Sequence, residues 1–231
     1  MCFSATASFT AGVVLLGIGT MALKLAKHPR EWALAAIPLL FAIQQLTEGV
    51  IWLTFRYDAP LLNTVMTQVY SFFSHVLWPI YVPLAVLLIE PLRWRRRILL
   101  AYVVAGVAVG MFLLYYMLVS PIVSQPIGRH IEYVSPHFFV AAMISLYLLS
   151  TTLSPIFSSY RRVNVFGILA LLSAVTAYYF YATWFISVWC FFAALLSVVI
   201  YFHFKEQRSP STSKLSQPSG YHSTTFPDHG A

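Results

Sequence analysis

The side chains best suited to chemistry lie in a short polar patch within a long apolar stretch of the chain. Gln44 and Gln45 precede Glu48 by four and three residues. Trp52 follows Glu48 by four residues, so an α-helix places all four side chains on one face. A carboxylate within a membrane costs about 2.5–3.5 kcal/mol on insertion scales and usually marks a functional site. We therefore take Glu48 as the centre of a candidate site.

A second polar set lies around His75 on the next apolar stretch. Ser71, His75 and Trp78 are spaced by four and three residues and share a helix face. The short connection 56–63 makes the two helices antiparallel and brings His75 to a depth similar to that of Glu48. We expect Glu48 and His75 to act as catalytic groups. The predicted ligand- or cofactor-binding side chains around them are Gln44, Gln45, Trp52, Ser71 and Trp78.

Thiol and imidazole groups elsewhere in the chain could complete a metal site with these two residues. Cys2, His137 and Cys190 fall in the same half of the membrane under the topology predicted below. Carboxylate, imidazole and thiolate are the usual zinc ligands, and copper is favoured where thiolates dominate. The sequence predicts a divalent transition metal, zinc first and copper second, with the ligand set Cys2, Glu48, His75, His137 and Cys190.

Other interpretations of the same residues stay open. A Glu48–His75 pair that changes protonation suits a transport or sensor protein, whereas a Glu–His–Gln hydrogen-bond network would be structural. The pocket would also suit a small molecule or a lipid headgroup. A disulfide between Cys2 and Cys190 would remove both thiols from metal ligation. The sequence favours a membrane-embedded metalloenzyme and leaves the reaction undefined.

The elements that position these residues are predicted to be membrane-spanning helices. Hydrophobic residues make up 59% of the 231 residues and charged residues only 9%, whereas a soluble domain carries about 25% charged residues. Apolar runs of about 20 residues suit helices rather than barrel strands. The predicted fold is all-α, an integral membrane bundle of seven transmembrane helices at 8–26, 32–54, 64–90, 98–119, 135–155, 163–181 and 184–203.

Basic residues are concentrated in alternate connections between these helices. The first, third and fifth connections and the tail carry Lys24, Lys27, Arg30, Arg93, Arg95, Arg96, Arg97, Arg161, Arg162, Lys205, Arg208 and Lys214. The positive-inside rule then places the N-terminus outside and the C-terminus in the cytoplasm. The net charge of +7 is therefore a topology signal and does not indicate nucleic-acid binding. Membrane lipid is the expected partner.

Two further features concern domain organisation and packing. The transmembrane domain is predicted to cover residues 1–204, and the polar segment 205–231 is predicted to be a disordered cytoplasmic tail. Gly106 and Gly110 are four residues apart in the fourth span. Small residues at this spacing allow helices to approach closely.

The opening Met1-Cys2-Phe3-Ser4-Ala5-Thr6-Ala7 resembles that of a bacterial family of uncharacterised multi-span membrane proteins, which begin Met-Cys-aromatic-Ser-Ala-Thr-Ala. The resemblance continues through Gln45-x-x-Glu48-x-x-x-Trp52, His75-x-x-Trp78-Pro79, Arg161-Arg162 with Gly167, and Trp189-Cys190. It implies a multi-pass protein of the bacterial inner membrane and supplies no reaction. The chain also resembles alkaline ceramidase-related zinc hydrolases in its number of helices and its buried acid and histidine residues. Those enzymes carry His-x-x-x-His on the last helix, and the span 184–203 lacks this pair.

Overall fold

Helices form most of the structure, a computed structural model that describes residues 4–135, 137–138 and 140–208. Cys2 and residues 209–231 lie outside the described residues. The helices are α1 (Ala5–Leu25), α2 (Pro29–Ala35), α3 (Ile37–Arg56), α4 (Pro60–Ser71), α5 (Trp78–Ile89), α6 (Arg93–Val119), α7 (Ala141–Leu148), α8 (Ser154–Ile156), α9 (Arg161–Tyr181), α10 (Phe185–Leu196) and α11 (Val198–Arg208). Two π-helical segments, Phe72–Leu77 and Leu149–Leu153, join α4 to α5 and α7 to α8. The all-α prediction is confirmed.

The described residues contain five helical stretches that are long and apolar enough to cross a membrane. These are Ala5–Leu25, Pro29–Arg56, Pro60–Ile89, Arg93–Val119 and Arg161–Arg208, and Ala141–Ile156 is a shorter apolar helix. The stretch Arg161–Arg208 reverses direction at a 3-10 turn, Ala182–Trp184. Arg162 at its start forms an ion pair with Glu206 near its end. The helix α9 is therefore antiparallel to α10–α11. The five long apolar stretches together are typical of a membrane protein.

The region after α6 differs from the prediction. The predicted span 135–155 begins only at Ala141. The preceding connection folds into an antiparallel hairpin of β1 (Val123–Ile127) and β2 (His130–Val134), which the sequence analysis did not predict. Gly128 has a φ of 63°, the left-handed value that a tight two-residue hairpin turn requires. Pairing satisfies backbone groups that an open loop would leave to solvent.

The last helix extends beyond the predicted boundary of the tail. The prediction ended the folded domain at residue 204, but α11 continues to Arg208. The Arg208 guanidinium donates to the carbonyl oxygens of Lys24 and Leu25 at the end of α1. These contacts stabilise the extra turn, so the residues 205–208 belong to the bundle.

The same contacts bring the basic connections to one end of the bundle. Arg208 contacts the end of α1, and Arg162 at the start of α9 pairs with Glu206 on α11. Arg95 at the start of α6 donates to the Ser158 carbonyl before α9, at 2.6 Å. The hairpin β1–β2 lies at the opposite end. The bundle therefore has a basic end and a hairpin end.

The close approach predicted for Gly106 and Gly110 is confirmed. A Cβ added at Gly106 would lie 1.8 Å from the carbonyl oxygen of Pro79, and one at Gly110 would lie 2.9 Å from the Ile80 side chain. Both distances are shorter than a normal van der Waals contact distance. The helices α5 and α6 therefore touch backbone to backbone, which fixes the start of α5 next to the π-helical segment that contains His75.

Candidate functional site

Glu48 lies in the interior of the bundle, where α3 faces α10. Its side chain is fully buried, and its Oε1 accepts a hydrogen bond from the Ser187 hydroxyl at 2.6 Å. The periodicity of α3 places Gln44 one turn before Glu48 and on the same face. The predicted position of Glu48, inside the bundle rather than towards lipid, is thus the observed one.

The thiol of Cys190 joins this group from α10. Cys190 follows Ser187 by three residues, so both side chains lie on one face of α10. The thiol lies close to the side chains of Gln44, Tyr70 and Glu48. It is a free and buried cysteine. Cys190 and Glu48 therefore belong to the same buried polar group, whereas their role as metal ligands stays a prediction.

Trp78 connects the glutamines to α5. Its indole Nε1 donates to Gln44 Oε1 at 2.7 Å. Its ring stacks on Phe41, with centroids 3.9 Å apart. Trp78 therefore orients Gln44 by a hydrogen bond and packs its ring against an apolar side chain next to the polar group.

His75 lies in a neighbouring hydrogen-bond network, in which its ring contacts serines rather than Glu48. The ring Nδ1 lies 2.8 Å from the Ser74 hydroxyl, and Nε2 lies 3.0 Å from the Ser135 hydroxyl. Both nitrogens are therefore engaged by serines, and neither is left for Glu48. The physical reason is the π-helical segment Phe72–Leu77, which has a wider turn than an α-helix and changes the direction of the His75 side chain.

Pro79 leaves the π-helical segment with a carbonyl group that lacks a backbone donor. In the π-helical pattern the Trp78 N–H donates to the Phe73 carbonyl. The Ser74 carbonyl would next require the N–H of residue 79, which proline lacks. Tyr147 on α7 supplies the missing donor, because its hydroxyl donates to the Ser74 carbonyl. Tyr147 also lines a small cavity with Cys190, which links the two networks.

Several buried polar groups around Glu48 have no partner among the described residues. Neither amide atom of Gln45 is hydrogen-bonded there, and the same holds for Gln44 Nε2, Ser71 Oγ, Trp52 Nε1 and Ser8 Oγ. Gln44, Gln45 and Trp52 precede or follow Glu48 by one helical turn, so three of these groups share its helix face. A buried and unpaired polar group is rare in folded proteins and calls for an explanation.

The predicted metal site is incomplete in the part of the chain that the structure describes. No group of three His, Cys, Asp or Glu side chains there is close enough to hold a metal ion. His137 stacks on Tyr116 instead, with ring centroids 3.7 Å apart, and lines a separate cavity of about 190 Å³. Cys2, the remaining predicted ligand, lies outside the described residues. Glu48, His75, His137 and Cys190 therefore do not by themselves form the predicted metal site.

The β1–β2 hairpin covers the polar groups at its end of the bundle. Ser124 on β1 is hydrogen-bonded to Thr67 at 2.7 Å, and the Gln68 amide donates to the Ile122 carbonyl at 2.7 Å. Tyr133 on β2 stacks on Tyr70, with centroids 4.4 Å apart. These contacts dock the hairpin on α4, directly above the residues that interact with Cys190.

His130 packs at the edge of the same hairpin. Its ring stacks on Trp184, with centroids 4.6 Å apart. Burial lowers the pKa of His130 below its ordinary value of 6.5. The hairpin therefore contacts the turn between α9 and α10 as well as α4.

Sequence reasoning missed four residues that contact the predicted ones. They are Tyr70, Ser74, Ser135 and Ser187, and Tyr147 is in turn hydrogen-bonded to Ser74. Ser187 had a usable signal, because it lies one turn before Cys190 on a helix that is otherwise apolar. The contacts of Ser135 and Tyr147 depend on the hairpin and on the π-helical segment, so no spacing rule would have predicted them.

The fold and this site define a multi-helix membrane protein with a buried polar centre. The chain belongs to a family of unknown function, DUF6629, whose family model matches residues 1–215. This membership confirms the resemblance to an uncharacterised family. No curated protein and no solved structure matches the chain significantly.

Proposed function

We propose that this protein binds a small polar ligand inside its helix bundle, at the face of α3 that carries Glu48. The observation that carries the proposal is the fully buried amide of Gln45, neither atom of which is hydrogen-bonded to another described residue. Leaving a buried polar group unpaired costs about 1–3 kcal/mol. Gln44 Nε2 and Ser71 Oγ add to this cost. A ligand with hydrogen-bond donors and acceptors would remove it.

The surrounding groups favour a neutral or cationic ligand. The Gln45 amide offers one donor group and one acceptor, and the Glu48 carboxylate accepts hydrogen bonds. A buried carboxyl group would repel an anionic ligand when ionised and offers it no positive charge when protonated. An ionisable residue inside a membrane bundle is by default a candidate binding or transport site. The polar centre therefore suits a small solute that carries N–H or O–H groups.

The catalytic and metal predictions are separate from this binding proposal. Glu48 and His75 stay predictions as catalytic groups, because their observed hydrogen bonds go to serines on different elements. A zinc or copper ion stays a prediction for a site that Cys2 would have to help form. Whether a reaction occurs at the bound ligand does not affect the proposal.

The test of the proposal is native mass spectrometry of the purified protein and of Gln45→Met. Methionine has nearly the shape of glutamine and removes only the amide. The wild-type protein is expected to carry a small-molecule adduct, and Gln45→Met is expected to lose it. The control Ile43→Met lies on the same helix and faces outward, with 42% of its side chain exposed. Equal adducts on all three proteins would contradict the proposal, and the adduct mass distinguishes an organic solute from a metal ion.

We further propose seven spans, with the N-terminus outside and the C-terminus in the cytoplasm. The spans are α1, α2–α3, α4–α5, α6, α7–α8, α9 and α10–α11. The helical stretch 141–156 is about 24 Å long, which is shorter than a hydrocarbon core of about 30 Å. Ser135 and Phe138 before it are buried, and non-helical backbone is tolerated at membrane depth when protein covers it. The resemblance to a bacterial family supports the inner membrane.

Cysteine labelling tests this orientation. The variants Arg129→Cys, at the tip of the hairpin, and Arg97→Cys, at the basic end, both replace exposed side chains. A membrane-impermeant maleimide is expected to label Arg129→Cys in intact spheroplasts and Arg97→Cys only after permeabilisation. Wild-type protein gives the background from the native cysteines. The reverse pattern would overturn the orientation.

A further inference from the structure

A groove opens at the basic end of the bundle, between the start of α2, the end of α5 and the start of α6. It encloses about 580 Å³, which is within the range of about 300–1,000 Å³ typical of ligand pockets. Its polar lining consists of His28, Arg30, Glu31, Glu90, Arg96 and Tyr160, and its apolar lining of Leu88, Ile89 and two prolines. The groove therefore presents charged and apolar surfaces side by side.

Both arginines of the groove keep their charge available for a ligand. Neither Arg30 nor Arg96 forms an ion pair with a carboxylate of the described residues. Basic side chains also greatly outnumber acidic ones at this end of the bundle, because the acidic residues in its connections are only Glu31, Glu90 and Glu206. The local potential is therefore positive.

The two carboxylates of the groove are already engaged by the backbone. Glu31 Oε2 accepts hydrogen bonds from the N–H groups of Lys27 and His28, at 2.7 and 3.2 Å. Glu90 accepts from the N–H of Leu92 at 3.2 Å and from that of Ser159 at 2.7 Å. Hydrogen bonds from backbone N–H groups stabilise a carboxylate and reduce its need for a cationic partner. Because the backbone holds both carboxylates in place, Arg30 and Arg96 remain able to bind an external anion.

Tyr160 adds a neutral donor to the lining. Burial, followed by the charges of Glu90 and Glu31, raises the pKa of Tyr160 above its ordinary value of 10.0. The hydroxyl therefore stays protonated at neutral pH and is able to donate to a phosphate oxygen.

The apolar side of the groove continues towards the lipid. Leu84 and Leu88 lie one turn apart on α5, and each has 37% of its side chain exposed. Trp32 and Trp94, next to the groove on α2 and α6, are 57% and 55% exposed. Exposed tryptophans of this kind mark the membrane interface. An acyl chain would pass along Leu88 and Leu84 while its headgroup stays in the groove.

We infer that this groove binds the phosphate of an anionic phospholipid headgroup through Arg30 and Arg96. Basic pockets between transmembrane helices at the cytoplasmic surface are known to take anionic headgroups. The adjacent apolar stripe favours a lipid over soluble phosphate. The site is distinct from the polar centre around Glu48, which lies in the interior of the bundle.

The test is lipid binding by delipidated protein in detergent, followed by native mass spectrometry. The probes are phosphatidylglycerol and phosphatidylcholine with identical acyl chains. Wild-type protein is expected to retain phosphatidylglycerol, and the double variant Arg30→Gln/Arg96→Gln is expected to bind it about tenfold or more weakly. Binding of phosphatidylcholine is expected to be weaker and to change little. Equal binding of both lipids to the wild type would overturn the inference.

Matched variants separate this site from general charge effects. Arg56→Gln/Arg129→Gln removes two arginines from the hairpin end and is expected to bind phosphatidylglycerol like the wild type. Arg30→Lys/Arg96→Lys keeps the charge and is expected to recover most of the binding. An equal loss in the hairpin-end variant would overturn the site assignment. Displacement of the lipid by millimolar inorganic phosphate would overturn the assignment to a lipid.

Discussion

The variant Gly106→Ala is expected to lose about 3 kcal/mol of stability, which corresponds to a fall of about 6–12 °C in Tm for a chain of this size. The added Cβ would lie 1.8 Å from the Pro79 carbonyl oxygen. Because that oxygen belongs to the backbone, no side-chain rotation relieves the contact, and α5 and α6 must move apart. Thermal unfolding in detergent, followed by the fluorescence of the tryptophans, measures the change.

Gly17→Ala is the matched control for this prediction. A Cβ at Gly17 meets nothing within 4 Å, so the substitution adds no contact. Alanine is favoured over glycine in a helix by about 1 kcal/mol, so the Tm of Gly17→Ala is expected to stay level or to rise slightly. If Gly106→Ala were as stable as Gly17→Ala, the backbone contact between α5 and α6 would be refuted.

Replacing His75 with alanine is the second substitution for which we expect a large effect. The ring is fully buried and its two nitrogens lie within hydrogen-bond distance of Ser74 and Ser135. Its removal leaves a cavity and takes the partner of the Ser135 hydroxyl, whereas the Ser74 hydroxyl keeps its hydrogen bond to the Ser71 carbonyl. We expect a loss of about 2–5 kcal/mol, as for other large-to-small core substitutions, again measured as a fall in Tm. Because Ser135 follows the hairpin, limited proteolysis is also expected to cut the segment 120–140 faster.

His137→Ala provides the comparison, because the sequence predicts both histidines as metal ligands. His137 stacks on Tyr116 beside a cavity and is only partly buried. Its replacement is expected to change the free energy of unfolding by less than about 1 kcal/mol. A shared metal ion would instead be indicated if the two substitutions lowered the Tm equally and if neither lowered it further in the presence of a chelator. That result would contradict the observed serine contacts of His75.

The α3 side of the site was predictable because α3 is a regular helix there. A spacing of three and four residues is enough to place Gln44, Gln45 and Glu48 on one face, and the cost of a carboxylate in a membrane directs that face inward. The approach of Cys190 to Glu48 also followed from the predicted depths of the helices. These inferences require only helical periodicity and a bilayer of known thickness.

The environment of His75 was not predictable from the same rule. The rule assumes 3.6 residues per turn, whereas Phe72–Leu77 is π-helical. Pro79 was visible in the sequence and removes an N–H, but a proline alone does not show whether a helix kinks, ends or widens. The hydrogen bond from the Tyr147 hydroxyl to the Ser74 carbonyl joins residues that are far apart in the sequence, and the spacing of nearby residues does not predict it.

The hairpin was missed for a different reason. The connection 120–135 joins two predicted spans, and connections of that length without secondary structure are uncommon. Val123, Ile127, Ile131 and Val134 are residues that favour strands, and Gly128 provides the turn. The signal was therefore present, but the long apolar helices on both sides dominated the interpretation.

The central claim is that the buried amide of Gln45 is hydrogen-bonded to a small polar ligand, and the stability of Gln45→Met tests it most directly. If the amide is paired with a ligand in the purified protein, removing it is expected to lower the Tm, while Ile43→Met leaves the Tm unchanged. If the amide is unpaired, methionine removes a cost of about 1–3 kcal/mol, and the Tm rises by several degrees. A Tm for Gln45→Met above that of the wild type would contradict the account.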